Sequence, residues 1–143
     1  MAIRCAAVED LPSIEALLCQ RGLPAAGVAG HVQRFVVAIE HSTICGCGGI
    51  EYYGDVPLLR SVAVVVAHLR GSGVGRRIVS RLVAACHSRN VQSLVLLTTT
   101  AEGYFARLGF VRVARGDVPS SVLASPQFQG VCPGLAVSML RVL

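Results

Sequence analysis

A glycine-rich segment flanked by arginines, Arg70-Gly-Ser-Gly-Val-Gly-Arg76-Arg77, is the part of this sequence whose chemistry is most readable. It follows a β-branched run, Val62 to Val66, and it opens an amphipathic stretch, residues 74–88, so we expect a strand, a tight turn and a helix. Glycines in such a turn leave backbone N–H groups uncovered at the positive end of the helix dipole, where phosphate binds. The segment therefore predicts a site for a phosphorylated ligand.

Two well-known phosphate-binding loops do not fit this spacing. The ATP-binding loop ends in Gly-Lys-Ser/Thr, and the chain contains no lysine. The dinucleotide-binding loop has the pattern Gly-x-Gly-x-x-Gly, with an acidic residue at the end of the next strand. Here the glycines are Gly71, Gly73 and Gly75, and the next strand ends in Thr98-Thr99-Thr100 without a carboxylate. The remaining structural alternative is an ordinary strand-to-helix turn with spare glycines.

Composition restricts the class of protein. A length of 143 residues with 53% hydrophobic and 15% charged residues predicts one folded domain, residues 1–143, with a single core. Aromatic residues are scarce at 5%, which argues against a nucleic-acid module that stacks bases. No apolar run reaches the length of a membrane span, and the N-terminus has no leader-like segment, so we expect a cytoplasmic protein without nucleic-acid or membrane partners.

The six cysteines are irregularly spaced, which favours reduced thiols over a disulfide framework. His41 with Cys45 and Cys47 suggests a metal site, but paired Cys-x-x-Cys spacing is missing, and we predict no metal. The roles of Cys45, Cys47 and Cys132 stay open.

Hydrophobic periodicity predicts an alternation of strands and helices in one α/β unit. The predicted strands cover residues 3–7, 35–40, 44–53, 58–66, 91–98, 110–114 and 135–142. The predicted helices cover residues 11–21, 27–33, 74–88 and about 100–109, with one further helical turn at 120–124.

Two motifs in this order resemble the signatures of the GCN5-related N-acetyltransferase (GNAT) family. The first is Arg-x-x-Gly-x-Gly at residues 70–75, and the second is the short helix ending in Gly109-Phe110. The resemblance implies an α/β (α+β) fold with a mixed, mostly antiparallel sheet of about seven strands flanked by about four helices. It implies direct transfer of an acetyl group from acetyl-CoA, the co-substrate, to an amine.

Shorter motifs resemble one subgroup of that family, found with arsenic-resistance genes. This subgroup is similar to N-acetylglutamate synthases and to the enzymes that acetylate phosphinothricin and arsinothricin. The motifs are Leu58-Leu-Arg60-Ser61, Leu97-Thr-Thr-Thr100, Asp117-Val-Pro119, Ser125-Pro-Gln-Phe128 and Cys132-Pro133. The resemblance implies that the acceptor is an acidic amino acid or a toxin that mimics glutamate.

The resemblance also implies how acetyl-CoA is held. Backbone N–H groups of the glycine-rich loop would bind the pyrophosphate, and its arginines would add positive charge. The loop residues are Arg70, Gly71, Ser72, Gly73, Val74, Gly75 and Arg76. The pantetheine arm would lie beside Val64, Val65 and Val66, with a backbone N–H of this strand on the thioester oxygen. Because a bulge is expected in this strand, the sequence does not decide which valine faces the thioester.

Glu51 is the candidate general base, since an amine must lose a proton and a carboxylate can accept it directly or through water. The alternative for Glu51 is a solvated carboxylate at the sheet edge. Many members of the family protonate the leaving thiolate with a tyrosine four residues before the Gly of Gly-Phe. Phe105 stands at that cofactor-facing position, and Tyr104 lies one place away, so the use of an acid stays open.

Arg60 is the candidate clamp for a substrate carboxylate, and its alternative is an exposed arginine of the sheet. Tyr52, Thr98 and Thr99 are further candidates for substrate contacts. Two other functions remain open: a peptide or protein N-acetyltransferase, and a non-catalytic module that binds acyl-CoA. A homodimer is compatible with the resemblance, and nothing in the sequence decides it.

Overall fold

The computed structural model describes residues 1–65, 73–131 and 136–143. Seven strands form one sheet in the order β1-β2-β3-β4-β5-β7-β6, with β4 and β5 parallel and with β1–β2, β2–β3, β5–β7 and β6–β7 antiparallel. The strands are β1 Ala2–Cys5, β2 Phe35–Glu40, β3 Thr43–Tyr53, β4 Val56–Val64, β5 Ser93–Thr98, β6 Val111–Arg112 and β7 Val137–Val142. The predicted mixed, mostly antiparallel sheet is confirmed.

The α-helices within the described residues are α1 Leu11–Gln20, α2 Val28–His31, α3 Val74–Ser88, α4 Glu102–Arg107 and α5 Ser120–Leu123. A π-helical turn, Gln127–Val131, follows α5. Helix α3 begins at Val74, as the sequence predicts, and the residue before it, Gly73, has a positive φ, which glycine adopts readily. The first and sixth strands end earlier than the sequence pattern predicts, because apolar residues continue into the turns that follow them.

The chain divides into two compact units. The first contains Met1–Ile50 and Ser61–Ala84, and the second contains Glu51–Arg60 and Ala85–Leu143. The long strands β3 and β4 each contribute residues to both units.

In the first unit, helix α1 turns one apolar face onto the sheet. Ile14, Leu17 and Leu18 recur at helical spacing, and all three are buried. They belong to a core that also contains Val28, Val32, Phe35, Val37, Cys47 and Ala63.

Helix α3 approaches strand β3 through two glycines on the strand. A Cβ atom on Gly48 would lie 2.7 Å from Cγ2 of Ile78 and 3.2 Å from Cδ1 of Leu82. A Cβ atom on Gly46 would lie 3.1 Å from Cγ1 of Val74. The missing side chains therefore let the helix pack directly against the strand backbone, which fixes where the first turn of α3 lies.

In the second unit, the end of the β3–β4 hairpin packs against the segment after strand β6. Leu58 and Val95 form a buried cluster with Val118, Val122 and Phe128. Tyr53 is half-buried against the same cluster. This packing fixes Tyr53 at the end of β3 and Leu58 near the start of β4.

Candidate active site

The first turn of helix α3 is positively charged by two independent causes. Gly73 has a left-handed backbone, φ +73°, and its carbonyl oxygen accepts the N–H of Arg77 at 3.0 Å, so it directly precedes the helix. Arg76 and Arg77 are exposed, and the first turn contains no acidic residue. Cations are unfavourable at the positive end of a helix dipole. An anion bound there would therefore be stabilised by the dipole and would also neutralise the charge of the arginines.

Of the predicted loop residues, the structure describes Gly73, Val74, Gly75 and Arg76 and brings them together in this turn. Val66, Arg70, Gly71 and Ser72 lie outside the described residues.

At the end of strand β4, the N–H groups of the two described valines, Val64 and Val65, point to opposite sides of the strand. The N–H of Val65 donates to the carbonyl oxygen of Cys45 at 2.9 Å. Because successive N–H groups of an extended strand point to opposite sides, the N–H of Val64 points away from β3. The pleat of β4 is also interrupted at Ser61, whose φ is +61°. Of the two described valines, Val64 is therefore the one whose N–H lies on the side away from β3.

The carboxylate of Glu51 lies in a buried ion pair. Its Oε1 atom is 3.5 Å from Nη1 of Arg60, and the two side chains are 3% and 4% exposed. The hydroxyl of Tyr53 donates a hydrogen bond to the same carboxylate. Burial, and then the negative charge of Glu51, raises the pKa of Tyr53, which therefore keeps its proton as a donor.

Glu51 is therefore not a solvated carboxylate at the sheet edge, and Arg60 is not an exposed arginine of the sheet, because both residues are buried. The sequence reasoning placed the two side chains in separate roles and did not consider that they pair. It also missed Tyr53, although Tyr53 lies two residues after Glu51 and strand alternation puts both on one face.

Tyr52 lies on the other face of the strand. Its hydroxyl is 3.9 Å from Sγ of Cys86, and the guanidinium of Arg89 stacks 4.0 Å from the centre of its ring. The structure therefore does not bring Tyr52 together with Glu51.

The two candidate threonines at the end of strand β5, Thr98 and Thr99, have different surroundings. Oγ1 of Thr98 accepts the backbone N–H of Ala101 at 3.0 Å, so this hydroxyl holds the turn that leads into α4. Thr99 is exposed.

Phe105 is buried in helix α4, and its ring contacts Tyr104 edge to face with 5.3 Å between the ring centroids. The ring has no proton to donate, so the described residues place no acid at the position where the family commonly has one.

None of the described helices is long and apolar enough to cross a membrane. Across the described ranges, no group of three His, Cys, Asp or Glu side chains is placed to hold a metal ion.

The family is shown by a sequence model. The acetyltransferase (GNAT) domain matches residues 31–112, more than half of the chain, which includes the start of α3 and the Gly109-Phe110 signature. The chain therefore belongs to the GNAT acetyltransferase family, and the predicted enzyme class, N-acetyltransferase, is confirmed.

Solved structures agree with this assignment over the whole chain. Rv2747 from Mycobacterium tuberculosis, in complex with CoA and NLQ, is 27% identical with a TM-score of 0.82, covering 100% of this chain and 99% of that one. A GNAT-family acetyltransferase from Staphylococcus aureus Mu50 is 17% identical with a TM-score of 0.79, covering 99% and 98%. These matches confirm the predicted fold.

The N-acetylglutamate synthase of Neisseria gonorrhoeae, complexed with coenzyme A and N-acetyl-glutamate, has a TM-score of 0.85 at 20% identity. The match covers 99% of this chain but 35% of the synthase, so this chain spans about a third of that protein. No curated protein sequence matches this chain significantly.

Proposed function

We propose that this protein transfers the acetyl group of acetyl-CoA to the amino group of a small acidic amino acid, or of a toxin that mimics glutamate. The observation that carries the proposal is the start of helix α3, where a left-handed glycine precedes exposed arginines within the matched GNAT domain. An anionic co-substrate supplies the negative charge that this turn lacks.

In the proposed reaction the neutral amine attacks the thioester carbon, and a new C–N bond replaces the C–S bond. Glu51 accepts the proton that the nitrogen loses, directly or through one water molecule. Coenzyme A leaves as the thiolate, which needs no protein acid because a thiol titrates near pH 8.5, within reach of neutral solution. In this proposal the Val64 N–H, which points away from β3, donates to the thioester oxygen.

The acidic acceptor is supported by two independent likenesses. The short sequence motifs resemble N-acetylglutamate synthases and the phosphinothricin and arsinothricin acetyltransferases, and the gonococcal synthase, solved with N-acetyl-glutamate, shares the fold. A link to arsenic resistance follows from the first likeness. We further propose that the protein works in the cytoplasm as a single domain.

A panel of acceptors tests the function. The protein is mixed with acetyl-CoA and with L-glutamate, L-glutamine, L-arginine, phosphinothricin, arsinothricin or a peptide with a free N-terminus, and release of free thiol is measured. We expect turnover with glutamate or its mimics at a kcat/KM at least tenfold above that with the peptide. Preference for the peptide would favour a protein acetyltransferase, and acetyl-CoA binding without thiol release would favour the non-catalytic module.

The phosphate site is tested separately by Gly73→Glu, with Gly22→Glu as the matched control. Both glycines are exposed, with φ of +73° and +68°, and no heavy atom of the described residues lies within 4 Å of a Cβ atom built on either. The backbone strain and the added charge are therefore the same in both variants. We expect titration calorimetry to show loss of coenzyme A binding in Gly73→Glu alone, because the new carboxylate repels the pyrophosphate. Equal affinity of the two variants would contradict the assignment.

A further inference from the structure

The carboxylate of Glu51 contacts two side chains that the sequence did not connect with it. Nη1 of Arg60 lies 3.5 Å from Oε1 of Glu51, and the hydroxyl of Tyr53 donates to the carboxylate. Both members of the ion pair are more than nine-tenths buried. Burying a carboxylate away from water is unfavourable unless an opposite charge and hydrogen bonds compensate for the lost hydration. Here Arg60 supplies the opposite charge and Tyr53 supplies a hydrogen bond.

The same three side chains are held by the packing of the hairpin. Glu51 and Tyr53 alternate on one face of β3, and Leu58 and Arg60 alternate on one face of β4. Tyr53 and Leu58 pack against the cluster that contains Val122. Because the side chains of Glu51 and Arg60 are buried and Tyr53 packs against this cluster, the rotamers of all three are restricted, as positioning of a reactive group requires.

We propose that Arg60 and Tyr53 are positioning residues that hold the Glu51 carboxylate in the orientation in which it accepts the proton of the acceptor amine. Arg60 then acts through Glu51 and does not serve as the clamp for the substrate carboxylate. The inference rests on the proposed role of Glu51 as the base. In the step itself only the amine proton moves, to Glu51, while Arg60 and Tyr53 keep theirs.

The first experiment measures kcat and KM against pH for Arg60→Gln, Arg60→Lys and Tyr53→Phe, with L-glutamate or the panel acceptor of highest kcat/KM. We expect Arg60→Gln to lower kcat roughly 10- to 100-fold, because a displaced base loses most of its effect. The acidic limb of the pH profile should move to higher pH, since a buried carboxylate without its cation holds a proton more tightly. Tyr53→Phe should shift the limb in the same direction by less, and Arg60→Lys should recover part of kcat.

Arg112→Gln is the control for loss of an arginine from an ion pair. Arg112 lies 4.0 Å from Glu102 and its side chain is 67% exposed, so its removal should leave the kcat profile unchanged. If Arg60→Gln does not fold, the test uses Arg60→Lys, which preserves the charge, and Tyr53→Phe, which nearly preserves the volume. Variants that lose thermal stability but keep the wild-type pH profile would show a purely structural pair and overturn the inference.

A second experiment separates positioning from substrate clamping by a double-mutant cycle. If Arg60 acts through Glu51, Arg60→Gln should cause no further loss of kcat in a Glu51→Gln background. If it instead raises KM for the acidic acceptor by the same factor in both backgrounds, with kcat unchanged, Arg60 binds substrate and the inference is wrong. A Glu51→Gln enzyme with unaltered kcat and pH profile would be a different result, since it would remove the proposed base itself.

Discussion

Phe105 and Phe110 meet edge to face across the end of helix α4, with 5.8 Å between their ring centroids and 75° between their planes. The N–H of Phe110 donates to the carbonyl oxygen of Phe105 at 3.1 Å, and the N–H of Gly109 donates to that of Ala106 at 3.1 Å. These two bonds and the ring contact form a Schellman cap, which needs a left-handed residue at Gly109. The Gly-Phe signature thus has a structural cause: Gly109 allows the cap to form, and the ring of Phe110 packs against that of Phe105.

Gly109→Ala should therefore destabilise the protein, because Gly109 has φ +95° and an L side chain is strained there by about 1–2 kcal/mol. Gly103→Ala is the matched control within the same helix. A Cβ atom at Gly103 would meet nothing within 4 Å, and alanine favours a helix by up to about 1 kcal/mol. Thermal unfolding should show a lower Tm for Gly109→Ala and an equal or higher Tm for Gly103→Ala. Equal losses in both variants would contradict the cap.

Gly48→Ala should destabilise the first unit by overpacking. The added methyl group would stand 2.7 Å from Cγ2 of Ile78, in the contact between β3 and α3, and such clashes cost about 1–3 kcal/mol. Gly30→Ala in helix α2 serves as the control, since a Cβ atom there meets nothing within 4 Å. Chemical denaturation would measure the difference, and an unchanged midpoint for Gly48→Ala would show that helix α3 does not pack as closely as the structure has it.

The cysteines should divide into reactive and unreactive thiols. Burial raises the pKa of Cys47 to about 12 and raises the pKa of Cys45 and Cys86, whereas Cys5 and Cys19 are exposed. A thiol whose pKa is raised stays protonated until the pH approaches that value, and the protonated form is a poor nucleophile. Below about pH 9 the Cys47 thiol should therefore be unreactive in the folded protein.

Alkylation with iodoacetamide at about pH 8, read peptide by peptide in a mass spectrometer, tests this division. We expect Cys19 to be modified at least 100-fold faster than Cys47 in the native protein, and at a similar rate after unfolding. Equal rates in the folded state would contradict the burial of Cys47 and would reopen a thiol role for it.

The start of helix α3 and the Gly-Phe signature could be predicted from the sequence because both depend on local chemistry. The glycine pattern, the arginines and the helix that follows them are contiguous in the chain, and the helix begins at Val74 as predicted. The Gly109-Phe110 signature is local in the same way, since all the hydrogen bonds of its cap join residues at most five apart.

The substrate side could not be read in this way, because the partners there come together from separate parts of the chain. The hairpin places the guanidinium of Arg60 beside Glu51, nine residues earlier, and the sequence pattern does not show this pairing. The substrate contact of Thr98 stays a prediction, and the bond that its hydroxyl accepts from Ala101 is a local one, three residues along the chain.

The amino-acid sequence alone determined the family, the order of the strands and helices, and the place where helix α3 begins. These follow from periodicity, backbone freedom and charge along short stretches of chain. The tertiary structure decided which side chains share a buried environment: Glu51 with Arg60 and Tyr53, and Tyr52 with Cys86. The physical reason is that the energy of a buried charge depends on the atoms around it, and folding selects those atoms from distant positions in the sequence.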